Sequence, residues 1–256
     1  MTRNSGISYK ELVSLFNTIK NYEYNLICLI FDLVFVPCYQ DTEGKNSCIR
    51  ALPKPGTSII QSEQFKGNKK LKLVIIDKTV SQLDKYCFHK CINLKNISFP
   101  NTVTKIGEQC FNDCIKLSRI VLPDSVVSLG CGAFQGCIKL KSVKLSKNIK
   151  NIEHYTFFNC KKLRNIKLHN IESIKDGAFS YCENLNELVI PKQIENMYHR
   201  SFYGCKNLKK VYIPDSIKYL DEESFYKCHS LKYISIPKHI EIDKYYFPNK
   251  IKIISR

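Results

Sequence analysis

The sequence predicts an α/β solenoid: about eight repeats of 22–23 residues stacked into a rod or horseshoe, with a parallel sheet on one face and a helical N-terminal cap. Three observations carry this. Phe recurs at Phe65, Phe88, Phe111, Phe134, Phe157, Phe179, Phe202, Phe225 and Phe247, in steps of 23, 23, 23, 23, 22, 23, 23 and 22. A fixed set of Cys, Leu and β-branched residues travels with each Phe. The first 58 residues stand off this comb and show helical spacing.

Residues 1–58 are read as the cap. Leu12, Leu15, Phe16 and Ile19 recur at helical spacing, and Ser8 stands three before Glu11 as a capping box. A second apolar segment, Leu26 to Val36, ends at Pro37 and could pair with the first as a helical hairpin. A first repeat needs shielding from water, which such a hairpin would supply. A small adaptor module is the other reading of these helices. Asp41 to Thr57 is polar and holds Gly44, Pro53, Pro55 and Gly56, so it reads as a loop. Leu26 to Val36 is far shorter than the ~20 residues of a membrane-spanning helix, so no transmembrane segment is expected. The start also lacks an apolar run directly after a basic one, so no secretory signal is read and an intracellular, cytoplasmic location is expected.

Residues 59–256 are the solenoid. After each Phe come Cys at three (Cys91, Cys114, Cys137, Cys160, Cys182, Cys205, Cys228), Leu at six, an aliphatic at nine and an apolar residue at eleven. Leu-x-x-Ile-x-Ile ends in the alternation of a short strand with one buried face. Pro100, Pro123, Pro191, Pro214 and Pro237 then mark the strand end, because Pro cannot donate to a ladder. Phe and Cys three apart fit one helical or 3₁₀ turn. No unit buries its apolar edge alone, so the units stack, and eight at a strand spacing of ~4.8 Å give a rod ~40 Å long. Tyr245-Tyr246-Phe247-Pro248 opens a ninth unit that decays into Ile251-Lys252-Ile253-Ile254, a degenerate C-terminal cap.

The unit Ile106-Gly107-x-x-Cys110-Phe111-x-x-Cys114-x-x-Leu117-x-x-Ile120-x-Leu122-Pro123-x-x-Val126 resembles the BspA-like leucine-rich repeat, over about residues 60 to 248. The resemblance implies a leucine-rich-repeat solenoid. It also implies a setting, since such proteins are known mainly as surface or secreted adhesion and host-interaction proteins. Surface exposure by an unconventional route would fit it. It brings no catalytic motif.

Seven of the 13 Cys occupy one column. Free Cys is a small, soft, buried residue, so a ladder of them reads as core filling and favours a reducing compartment. Disulfides between neighbouring repeats are within reach, but equivalent side chains point in parallel. Cys87, Cys91, Cys110 and Cys114 form two C-x₃-C pairs that could in principle hold zinc. The column before Phe continues as Ala133, Thr156, Ala178, Ser201 and Ser224, so a demand for small residues explains Cys87 and Cys110 without metal. No cofactor is read.

Of the formal charge of +17, residues 1–59 carry +1 and the rest +16. Seven residues after Phe lies a basic edge: Lys72, Lys95, Lys141, Arg164, Lys209 and Lys232, interrupted by Ser118 and Asn186. Positions eight and ten after Phe are the expected sheet face, with candidate residues Arg119, Lys144, Lys167, Lys210, Tyr212 and Tyr233. Three readings compete. The Lys excess is compositional; or the face docks acidic partners, whether acidic proteins, anionic glycans or lipid headgroups; or it binds nucleic acid, which no helix-turn-helix, zinc-finger or RNA-binding sheet signature supports. No phosphate loop, dinucleotide fingerprint or nucleophile elbow appears, so an enzyme is not expected. The function read is a non-enzymatic leucine-rich-repeat protein binding protein partners in adhesion or host and partner recognition. The alternative is an intracellular adaptor whose N-terminal helices recruit one protein while the repeats bind another.

Overall fold

The computed structural model describes residues 48–51, 56–248 and 251–255. The helical cap expected within residues 1–58 falls almost wholly outside them. Most coils contribute a strand at each of two positions, the first usually the longer; the coil of Phe179 has only the second. The longer are β1 (Cys48–Ala51), β3 (Leu73–Ile76), β5 (Asn96–Ser98), β7 (Arg119–Val121), β9 (Ser142–Lys144), β11 (Asn165–Ile166), β14 (Lys210–Tyr212), β16 (Tyr233–Ile236) and β17 (Lys252–Ser255). The shorter are β2 (Ile59–Ile60), β4 (Gln82–Leu83), β6 (Lys105–Ile106), β8 (Ser128–Leu129), β10 (Asn151–Ile152), β12 (Ser173–Ile174), β13 (Asn196–Met197) and β15 (Tyr219–Leu220). All pairings are parallel, and the register is the repeat itself: Ile120 faces Val143, which faces Ile166. The long strands pair in three runs, β1-β3-β5, β7-β9-β11 and β14-β16-β17, and the short ones in two, β2-β4-β6-β8 and β10-β12-β13-β15.

Two stretches differ from expectation. Cys48–Ala51, inside the segment read as a loop, is a strand in register with Leu73–Ile76, so the sheet extends N-terminal to the first Phe-marked unit. Lys252–Ser255 is no mere decay either: it pairs along Tyr233–Ile236 and continues the ladder.

The corner between long and short strands is a β-turn opened by Pro where Pro is present, as in Val126 N–H donating to Pro123 C=O (3.1 Å) and Ile194 N–H to Pro191 C=O (3.1 Å). A polar side chain in each corner reaches back to the coil before. Ser125 donates to Val103 C=O (2.7 Å), Asn148 to Asp124 C=O (2.7 Å), Asn170 to Lys147 C=O (2.7 Å) and Ser216 to Ile194 C=O (2.7 Å).

The Phe-bearing arc corrects the α/β designation. It is a chain of β-turns, and helix among the described residues is confined to two 3₁₀ segments, Glu222–Phe225 and Lys244–Tyr246. The cause is the backbone two residues either side of Phe. Gln109 and Asp113 flank Phe111 with φ of 47° and 57°, and Gly132 and Gly136 flank Phe134 with φ of 61° and 69°. Left-handed residues cannot propagate a helix. In exchange, alternate N–H groups point along the rod: Gln109, Phe111 and Asp113 donate to Cys131, Ala133 and Gln135 of the next coil at 2.8–2.9 Å. The arc is thus hydrogen-bonded coil to coil like the sheets, and no buried amide needs a helical partner.

Inside, every predicted core column is filled. Phe88, Phe111, Phe134, Phe157, Phe179 and Phe202 have no exposed surface, and the rings from Phe65 to Phe225 form one stack with centroids 5.0–5.6 Å apart. Leu94, Leu117, Leu140, Leu163, Leu185 and Leu208 are likewise fully buried.

Candidate recognition face

The long strands put alternate residues outward, and their register aligns those residues into columns. Ser142 stands beside Arg119 and Asn165, Val121 beside Lys144, and Lys210 beside Tyr233. All six residues of the predicted basic edge, Lys72, Lys95, Lys141, Arg164, Lys209 and Lys232, are exposed. So are Arg119, Lys144, Lys167, Lys210 and Tyr212. Tyr233 is only half-buried rather than open, because β17 lies against its strand. The face also closes at its ends: Leu73 and Ile75 are buried, as are Ser98 and Ser235, although all four hold outward register positions. The open part therefore runs from about Arg119 to Tyr212.

Over the eight coils, the edge and face columns hold ten cations and a single carboxylate, Glu187. Several carboxylates elsewhere pair with cations on other sides of the rod. Asp124 meets Lys147 (3.2 Å), Glu172 meets Lys150 (2.6 Å), Glu195 meets Lys218 (3.1 Å), Glu183 meets Lys206 (3.2 Å), and Arg200 pairs with Glu223. Lys147 holds the Asp124 carboxyl below its ordinary range. Lys95, Arg119, Lys141, Lys144, Arg164, Lys167, Lys209, Lys210 and Lys232 enter none of the ion pairs of the described residues. Like charges spaced by a strand separation of ~4.8 Å repel, so the arrangement costs the isolated fold a little and favours an incoming anion.

The cysteines do other work. Each thiol of the column donates to the C=O of the Phe one coil earlier: Cys114 to Phe88 (3.2 Å), Cys137 to Phe111 (3.2 Å), Cys160 to Phe134 (3.2 Å) and Cys205 to Phe179 (3.3 Å). That C=O already accepts from its own coil, as Phe111 does from Cys114 N–H (3.1 Å), so the S–H occupies the second lone pair. Burial pushes the thiols of Cys114, Cys137, Cys160, Cys182 and Cys205 up, and that of Cys91 to about 12, which keeps them protonated. Cys87 points at the carbonyls of Asp84 (2.9 Å) and Gln61 (3.2 Å), and all ten cysteines whose side chains are described are free. Among the described residues no group of three or more His, Cys, Asp or Glu converges as metal ligands.

Two features of the face had no clear signal in the sequence. Glu187–Ile190, the position of a long strand in its coil, is not a strand, and Val189 there is 80% exposed. The coil before it is one residue short in the Phe comb (Phe157 to Phe179), which was the one available hint. The left-handed arc positions were hinted at by Gly67, Gly136 and Gly204, each two after Phe, but Lys90, Tyr181 and Lys227 fill the same column.

Residues 58–171 and 157–255 match the family model of the BspA type leucine-rich repeat region, in six copies. A leucine-rich repeat protein from Bacteroides ovatus superposes with a TM-score of 0.63 at 28% identity, over 78% of this chain and 57% of its own. The chain thus spans little more than half of that protein. The T. pallidum leucine-rich repeat protein (TM-score 0.45, 22% identity, 58% of this chain and 86% of its own) is also similar. So is the pneumococcal vaccine antigen PcpA (TM-score 0.45, 18% identity, 85% of this chain and 71% of its own). No curated protein matches. No helix among the described residues is long and apolar enough to cross a membrane.

Proposed function

Because this chain belongs to the BspA-type leucine-rich repeat family, we propose that it works as a non-enzymatic recognition scaffold whose strand face binds an acidic protein partner in adhesion or host and partner recognition. One observation carries the reading: ten exposed cations against one carboxylate on the edge and face columns, while acids such as Asp124, Glu172 and Glu195 pair with cations on the other sides. Lysine is exposed on other sides of the rod as well, as at Lys78, Lys105 and Lys192, but the carboxylates keep off these columns. Here the segregation by column supports selection for a charged surface. Extended faces, rather than deep pockets, are the way solenoids bind. Complementary charge of this kind raises encounter rates and sets partner choice.

The test uses polyglutamate as an acidic polypeptide, titrated calorimetrically against the full chain at low and physiological salt. The combined change Lys141→Glu, Lys144→Glu, Arg164→Glu and Lys167→Glu should weaken binding by about tenfold or more and flatten its salt dependence. Reversing Lys150 and Lys218, which are paired on other sides, should leave it nearly unchanged. An equal loss from both sets, or no binding at low salt, would overturn the reading. Protease treatment of intact cells reads the setting: adhesion requires cleavage from outside.

A further inference from the structure

The strand face is not uniformly charged. In the column ten residues after Phe, Val189 is 80% exposed and Tyr212, in the next coil, 55%. Other apolar residues in that column are covered better: Ile75 is 4% exposed and Val121 39%. Val189 reaches this exposure because Glu187–Ile190 leaves strand geometry, interrupting the long-strand sheet between Asn165–Ile166 and Lys210–Tyr212. Asn186 N–H still reaches Arg164 C=O (3.2 Å). No further interstrand hydrogen bond of the described residues ties Glu187–Ile190 to the coil on either side. The fold therefore forgoes ladder bonds and leaves a β-branched side chain in water towards the C-terminal end of its most charged surface. Neither serves stability. Interfaces set apolar and aromatic anchors beside charged residues, and here cations border the patch on two sides. Lys144 and Lys167 precede the Val189–Tyr212 patch in the two coils before it, and Lys209 and Lys210 stand beside it at the start of Tyr212's own strand.

We propose that the occupant of this face is an extended acidic polypeptide segment carrying an apolar side chain, which seats on Val189 and Tyr212 while its carboxylates meet Lys144, Lys167, Lys209 and Lys210. Charge complementarity selects acid, and the patch selects an apolar residue within it. The inference rests on the recognition reading above and names its partner class more narrowly. A segment of about seven residues, ~24 Å when extended, would cover roughly the five open coils.

The test compares two synthetic peptides of that length, Glu-rich around a single Phe or a single Ser, by fluorescence anisotropy with the full chain. The Phe peptide should bind at least about tenfold tighter. Val189→Ser and Tyr212→Ala should each erase most of that preference while leaving the Ser peptide's affinity unchanged, and Val189→Ser, at a side chain 80% exposed, should leave the melting temperature unchanged. Equal binding of the two peptides, or a preference that survives both variants, overturns the anchor while the basic-face reading stands. Binding of neither peptide at low salt overturns the basic face and, with it, this inference. Equally tight binding to heparin or to phosphatidylserine vesicles, insensitive to Val189→Ser, also overturns the polypeptide assignment.

Discussion

Phe134 lies between Phe111 and Phe157, with ring centroids 5.4 and 5.6 Å away, and exposes no surface. Phe134→Ala should cost about 3–5 kcal/mol, because a gap inside a stack of rings cannot collapse without shifting whole coils. Denaturant unfolding beside the surface control Lys141→Ala checks this, and equal midpoints would refute the core assignment. The buried thiols give a pH signature. Their folded pKa is raised by burial, so their contribution is fully present below the unfolded thiol range near 8.5. It is lost as pH climbs from there towards the folded value, about 12 for Cys91. Stability should fall between about pH 8.5 and pH 10, by up to ~1.4 kcal/mol per pH unit for each thiol that titrates only on unfolding. The decline should be shallower in Cys137→Ala, and parallel curves for the two proteins would contradict the assignment. The column of Cys was legible from its spacing. Its bond to the preceding Phe carbonyl was not, because that contact exists only between coils.

At the scale of the element, the strands were legible because alternation and Pro mark them locally. The arc was not. Phe-x-x-Cys spacing suits a helical turn and a chain of β-turns equally, and the left-handed positions that decide between them are held by Gln109, Tyr155, Arg200 and others that do not announce a positive φ. Close coil approach is the second hidden feature. A Cβ on Gly107 would lie 2.6 Å from the Asp84 backbone, and one on Gly130 2.4 Å from Glu108 N, so neither position can yield by a side-chain rotation. Gly130→Ala should destabilise by about 1–3 kcal/mol, as overpacking does. Glu153→Ala, in the same column of the next coil, should be near neutral. Thermal unfolding of the pair reads this directly, and a neutral Gly130→Ala would show that the coils separate easily.

Over the whole molecule, the repeat, its direction and its parallel sheet followed from one comb of Phe, and the family match agrees. The basic columns were legible as spacing. Their meaning was not, because a Lys excess looks the same in a sequence whether its carboxylate partners lie alongside or around the other side of the rod. Segregation appeared only when the coils placed Asp124, Glu172 and Glu195 against Lys147, Lys150 and Lys218. The exposed Val189 came from a coil that breaks the pattern the rest obey. Such breaks are the places where a repeat sequence reads least well and where binding is expected to concentrate.

That the strand face is the recognition surface is tested most directly by a lysine-modification footprint. The full chain is acetylated briefly with and without saturating polyglutamate, and each lysine's reactivity is read by mass spectrometry. The account predicts protection of Lys141, Lys144, Lys167 and Lys209, with Lys150 and Lys218 unchanged. Uniform protection, or protection centred on Lys150 and Lys218, would contradict it.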